Sequence, residues 1–446
     1  MPLTVSDRLH LRDLADIPWR VGFRHNPGLR TNHGPVQTLP HVYRAGKEPR
    51  LPIVVRNLRS HSTNNAFDCT AAVTLDGVER PLTLSRYGDH PDLDRRTDSC
   101  DPFAVALLVP AMLRGEPLVI EGSIDEMLLE SLRGPVQHTL RLMAPGWRHV
   151  AIEADARPAP TTTDWTRGAA MAMSGGIDSM HLARHRILAA DVPEPLRVRL
   201  LVHHHVGAHG DDDRAFQEQF THARRIADRF GLPIVGARCS LTAAFRGLGY
   251  IHSVTTRNLA ASLALDHLFT AFHYASTEPI GERPQMSSMG GASILDATLL
   301  PLFNTTSTVW LPFGGDATRL RKTTEVIFDD RLCGDLLVCI RGFRRDRAAL
   351  NCGRCYKCAR VLLQAEADGR FDAVAPTFDV AGYRRGMSYS ILRLLRWSLG
   401  FSRNVNEIDL LKHLHARRYP FPAWARPGVA LALLLHGTSP SGHPLP

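Results

Sequence analysis

From Arg167 onward the chain alternates short apolar runs with helical stretches, and this rhythm confines it to a narrow choice of folds. Strand-like runs fall at Ala169–Met173, Val198–His204, Pro233–Ala237 and Leu268–Tyr274. Helical stretches separate them: one reaching Ala190, then Asp211–Phe230 closed by Gly231, then Thr256–His267. Strands spaced by helices of this length predict an α/β fold with a doubly wound parallel sheet.

At the first strand-to-helix junction stands Ser174-Gly175-Gly176-Ile177-Asp178-Ser179. The first-turn amides of a helix have no internal partners and attract anions. Glycines let the backbone approach such an anion closely, and the two serines add hydroxyl donors. Asp178 would repel a phosphate unless a divalent cation intervened, so the loop implies Mg²⁺. The Gly-Lys-Ser/Thr of a Walker loop is absent. A turn capped by Asp and Ser is the structural alternative.

A second feature is the clustering of cysteine. Five of the eight cysteines, Cys333, Cys339, Cys352, Cys355 and Cys358, fall within 26 residues. Cys352-Gly-Arg-Cys355-Tyr-Lys-Cys358 can aim three thiolates at one point, which predicts a metal site. Zn²⁺ is preferred, with an iron–sulfur cluster as the rival. Cys339 is the favoured fourth ligand and Cys333 the other candidate. Arg354, Lys357 and Arg360 are placed to offset the thiolate charge.

The Ser174–Ser179 segment resembles the PP-loop of the ATP pyrophosphatase (adenine nucleotide alpha-hydrolase-like) superfamily, over residues 167–365. The resemblance implies a Rossmann-like domain that binds ATP, holds its pyrophosphate in the loop and forms AMP while activating a carboxylate or carbonyl oxygen. A PP-loop followed by Cys339 and the CxxCxxC run is similar to 7-cyano-7-deazaguanine synthase-like proteins. Thr256-Arg257-Asn258-Leu259, read as opening a helix, is similar to a Gly-Arg-Asn segment of that family, so Arg257 and Asn258 are expected near the nucleotide. Basic residues at this stage of many PP-loop enzymes stabilise the leaving pyrophosphate, which points to Arg319 and Lys322 in Asp316-Ala-Thr-Arg-Leu-Arg-Lys322. The chain departs from the compact synthase by its N-terminal region and its C-terminal helices, so a deazapurine carboxylate is one acceptor among several.

Other residues carry less. His203-His204-His205 cannot converge on a metal, because neighbours on a strand point to opposite faces. Asp296 is read as a helix N-cap, with a ligand role as the alternative. Cys239 and Cys333 are the candidate sulfur carriers if the reaction is thiolation.

The 446 residues have room for two or three domains, and 44% hydrophobic with 22% charged residues excludes wholesale disorder. Residues 1–152 mix strand-like runs (Leu51–Val55, Ala71–Leu75, Leu118–Glu121) with helices at Pro102–Leu113 and Glu126–Leu142, predicting a small N-terminal α+β domain. Residues 153–166, with two prolines and a threonine run, read as a linker. Residues 366–446 are expected to be helical and to end in a disordered Gly/Ser/Pro tail. From residue 380 on, nine Lys/Arg face only Glu407 and Asp409, contributing +7 to a net +9. An anionic partner, nucleic acid or acidic protein, suits that end.

Crossing a membrane takes about 18 apolar residues, and the longest run, Pro427–Leu435, is half that. Met1–Leu14 has no signal-peptide core, so a cytoplasmic protein without membrane contact is expected. The expected function is an ATP-dependent, AMP-forming ligase using ATP, Mg²⁺ and Zn²⁺. A carboxylate or carbonyl of a small or macromolecular acceptor is adenylated and a nitrogen nucleophile displaces AMP. The alternatives are sulfur transfer and non-catalytic binding of nucleotide or nucleic acid within an assembly.

Overall fold

The computed structural model describes residues 51–438 except 63–65, 96–98, 162–163, 209–212, 241–243, 246–247, 280–291, 340–348 and 401–404. The Met1–Leu14 segment and the Gly/Ser/Pro tail beyond 438 lie outside the described residues.

Ten strands form one sheet: β1 (Ile53–Ser62), β2 (Phe67–Leu75), β3 (Val78–Tyr87), β4 (Leu118–Asp125), β5 (Ile152–Arg157), β6 (Ala169–Ala172), β7 (Val198–His205), β8 (Ile234–Cys239), β9 (Ala271–Ala275) and β10 (Val309–Phe313). Their spatial order is β10-β9-β6-β7-β8-β3-β2-β1-β4-β5. The run β10-β9-β6-β7-β8 is wholly parallel. Within it the chain moves from β6 outward through β7 to β8, then returns to β9 on the other side of β6. The order therefore reverses between β6 and β9, the kind of position above which open α/β sheets take their ligands.

The helices are α1 (Asp101–Arg114), α2 (Glu126–Arg133), α3 (Pro135–Met143), α4 (Ile177–Arg186), α5 (Asp213–Phe230), α6 (Tyr250–Leu263), α7 (Asp296–Leu299), α8 (Arg319–Ile327), α9 (Tyr356–Ala367), α10 (Phe371–Val374), α11 (Val380–Leu399), α12 (Val405–Ala416) and α13 (Arg426–His436). Alternate strand residues feed two cores on opposite faces. Ala170, Leu200, Val202 and Val235 join the core of α1 and α6. Met171, Leu201 and Ile234 join that of α4, α5, α8 and α9. No helix of the described residues is long and apolar enough to cross a membrane.

Two expectations are corrected. The described part of residues 1–152 shares the sheet, because β3 pairs antiparallel with β8 from Leu84↔Cys239 to Tyr87↔Gly236. The stretch read as a linker opens with β5, since Ile152 is buried and the strand pairs parallel with β4. Arg157 then donates to the buried Asp101 carboxylate at 2.6 Å, which fixes the end of β5 against α1.

The single helix expected over 126–142 is two. Gly134 breaks the helical backbone, and Pro135, without an N–H, starts α3. After Cys358 the chain is helical as expected, through α9 to α13.

Leu84 lies 1% exposed at the β3–β8 seam. Leu84→Ala is expected to cost about 2–5 kcal/mol. Urea unfolding of the full chain, followed by far-UV circular dichroism, measures the loss.

Candidate active site and metal centre

The segment between β6 and α4 crosses the carboxyl edge at the reversal point. Gly175 takes φ +73°, and a Cβ there would meet His222 Nε2 and Leu337 Cβ, each at 3.2 Å. Ser179 Oγ donates to Gly176 O at 3.0 Å and lies 3.2 Å from Ser174 Oγ, while Gly176 N donates to Ser174 Oγ at 3.3 Å. Ser174 is exposed, whereas Ile177 and Ser179 are buried. The loop is thus rigid below, and Ser174 is open to solvent above.

Asp178, in the first turn of α4, meets two cations from α8. Arg319 Nη1 donates to its Oδ2 at 2.7 Å, and Lys322 Nζ lies 3.5 Å from Oδ1. Thr318 caps α8 by accepting from Arg321 N, and this start places Arg319 and Lys322 three residues apart on one helix face. Lys322 is 1% exposed and also donates to Ser276 O, just past β9, at 2.6 Å. Burial holds its ammonium below the usual lysine range, with Asp178 pulling the other way. Asp178 Oδ1 accepts no hydrogen bond among the described residues. The cation nearest that oxygen is the Lys322 ammonium, so the carboxylate is held between two basic side chains.

The structure brings Ser174–Ser179, Asp178, Arg319 and Lys322 to one place. Arg257 and Asn258 lie differently from expectation, in the middle of α6 rather than at its opening, because α6 starts at Tyr250. Arg257 is buried, donating to Ser253 Oγ at 2.8 Å and Val206 O at 3.3 Å, with its guanidinium 3.9 Å over the Phe245 ring. Asn258 donates to Tyr274 Oη at 3.0 Å. Both therefore brace the carboxyl ends of β7 and β9.

The three histidines diverge as strand geometry requires. His203 and His205 stack on Phe216, and His204 contacts Ser262 Oγ at 2.8 Å on the other face. Asp296 is not an N-cap: that position belongs to Leu295. The Asp296 carboxyl accepts from Thr255 Oγ1 at 2.8 Å, and burial raises its pKa well above the usual range.

Cys339, Cys352, Cys355 and Cys358 are all buried, with sulfurs within 4.8 Å of one another. This group could bind a metal such as zinc. Cys333 instead lies beside Arg370 and Asp330, which leaves Cys339 as the fourth member. Hydrogen bonds from Cys339, Cys355 and Cys358 hold the Cys352 thiol below the usual range. Gly353 takes φ +64° where a Cβ would sit 2.3 Å from Asp379 O, so only glycine fits. Of the cations expected to offset the thiolates, Arg360 is committed to Glu407.

Asn351 was not singled out by the sequence, yet it ties the cysteines to the loop. Its Oδ1 accepts from Val338 N at 2.8 Å and Cys339 N at 3.1 Å. Its Nδ2 donates to Leu336 O at 2.7 Å and Thr377 O at 3.1 Å. Leu337 N, in the same clamped segment, donates to Gly175 O at 2.8 Å. The signal in the sequence was an amide immediately before the first cysteine of the knuckle.

Comparison of the chain with protein-family models, curated proteins and solved structures finds no match.

Asn351→Ala leaves several buried backbone groups without partners. It is expected to cost roughly 2–5 kcal/mol and to lower the thiolate-bound metal of the purified chain. Thermal melting and elemental analysis of the same sample read both effects.

Proposed function

We propose that the chain is an ATP-dependent, AMP-forming ligase of the PP-loop type, with Zn²⁺ in its four-cysteine centre. The observation that carries this reading is the meeting of Asp178 with Arg319 and Lys322 above a glycine loop at the sheet's reversal point. Amides at a helix start bind anions, and two cations beside them suit a triphosphate better than a monoanion.

In this reading the Ser174–Ser179 loop holds the phosphates and Arg319 and Lys322 stabilise charge on the departing pyrophosphate. Mg²⁺, when bound at Asp178, supplies charge neutralisation and orientation of the phosphate oxygens. An acceptor carboxylate or carbonyl oxygen attacks the α-phosphorus and the bond to the bridging oxygen of pyrophosphate breaks. A nitrogen nucleophile then attacks the activated carbon and AMP leaves. The basic C-terminal helices suit an anionic partner, nucleic acid or acidic protein.

Zinc is favoured over an iron–sulfur cluster because sulfurs within 4.8 Å of one another surround one ion, while a cluster holds its thiolates farther apart. The centre is structural in this reading: four thiolates leave no open position, and Asn351 transmits its order to the loop. Sulfur transfer receives little support from its candidate carriers. Cys239 and Cys333 are both buried, and burial raises both thiols above the usual range.

The test is ATP turnover with separate α- and γ-phosphate labels, comparing wild type with Asp178→Ala. AMP and pyrophosphate are expected, falling about 100-fold or more in the variant. ADP and phosphate as products would exclude the reading. Absence of ATP binding by calorimetry would do the same, and nucleic-acid binding without turnover would favour the assembly role.

A further inference from the structure

The seam between α4 and α8 has a second polar layer behind Asp178 and Lys322. His181 follows Asp178 by three residues on α4, and Glu325 follows Lys322 by three on α8. His185, one helical turn beyond His181, completes the layer. Both imidazoles turn Nε2 to the same oxygen: Glu325 Oε2 lies 3.2 Å from His181 and 2.7 Å from His185. The three ligand atoms lie within 4.8 Å of one another. The phosphate-site reading uses none of these residues.

We propose that His181, His185 and Glu325 form a second metal site, for a divalent transition ion of the zinc class. Two histidines four apart on a helix present both rings to one point, and a carboxylate from a facing helix supplies the third ligand. A tetrahedral ion with bonds of about 2.0–2.2 Å needs its ligands roughly 3.3–3.6 Å apart, so small side-chain movements close the site. Imidazole and carboxylate together select zinc, cobalt or nickel over the hard cation placed at Asp178.

The surroundings fit a ligand set. Arg321 Nε donates to the other carboxylate oxygen, Oε1, at 2.9 Å, which holds Oε2 toward the histidines. Phe313 walls the site, its ring centroid 5.6 Å from His181 and 5.4 Å from His185. His181 is 4% exposed, while the His185 side chain is 38% exposed and gives the ion a way in. Three protein ligands leave a fourth position for water or a ligand.

The consequence is mechanical. An ion here joins α4 to α8 one turn from Asp178 and Lys322, and so fixes the helix that follows the glycine loop against the helix that carries the cations. This proposal stands independently of the adenylation chemistry.

The test uses the full chain with its thiolate-bound metal in place, titrated with CoCl₂ and with ZnCl₂. Wild type should take up one further equivalent, with Co²⁺ giving weak visible bands of nitrogen and oxygen ligation and no thiolate charge-transfer band. Zn²⁺ should raise its thermal midpoint. His185→Ala and Glu325→Gln, the latter preserving size if the former fails to fold, should each weaken uptake at least ~10-fold and abolish the thermal shift. No uptake by wild type beyond the thiolate-bound equivalent would overturn the proposal. Equal uptake and identical spectra in wild type and both variants would overturn it equally.

Discussion

Burial of the five parallel strands on both faces is the constraint from which the site follows. A strand covered on both sides cannot be joined to its parallel neighbour by a hairpin, so each connection climbs over the carboxyl edge and returns as a helix. Because the chain leaves β6 in one direction and comes back past it to β9, the connections part above that pair of strands. The reversal is a product of chain path. The loop after β6 and the segments after β9 and β10 meet there because they have no other route, and β6 itself needs only four residues to set the pattern.

At the reversal point, electrostatics decides which side chains stay. A lysine 1% exposed would lose its charge or leave, were it not 3.5 Å from Asp178 and donating to Ser276 O. Arg319 completes the arrangement at 2.7 Å from the same carboxylate. One carboxylate against two cations leaves a positive surplus beside a helix start, and an anion is the natural complement. The cluster is thus self-consistent without a ligand and suited to an anionic one.

The cysteine centre works at one remove from this chemistry. Asn351 clamps the 336–339 segment on one side while the knuckle gathers Cys352, Cys355 and Cys358 on the other. Since Leu337 N in that segment donates to Gly175 O, the Asn351 clamp and this backbone hydrogen bond connect the cysteines to the glycine loop. The His181, His185 and Glu325 layer approaches the same loop along α4, from the opposite end of the helix.

The sequence by itself determined the parts whose signals are local. Strand-helix alternation after Arg167, the Ser174–Ser179 turn, and the CxxCxxC cluster depend on residues close in the chain, and the structure has an alternating strand-helix run, a strand-to-helix turn and a four-cysteine group at those places. Periodicity placed α5 within a few residues, but it started α6 six residues late, because the buried Ser253 and Thr255 carry no apolar signal. Tertiary structure decided the rest. That β3 pairs with β8 across about 150 residues, that β5 pairs with β4 while its Arg157 meets Asp101, and that Asn351 bridges the four-cysteine group and the loop are long-range facts. So is the meeting of His181 and His185 with Glu325, 140 residues beyond His185 on a facing helix. Hydrogen bonds and ion pairs act over a few ångströms of space, whereas a sequence pattern reports only separation along the chain, so partners distant in sequence become visible only once the fold has brought them together.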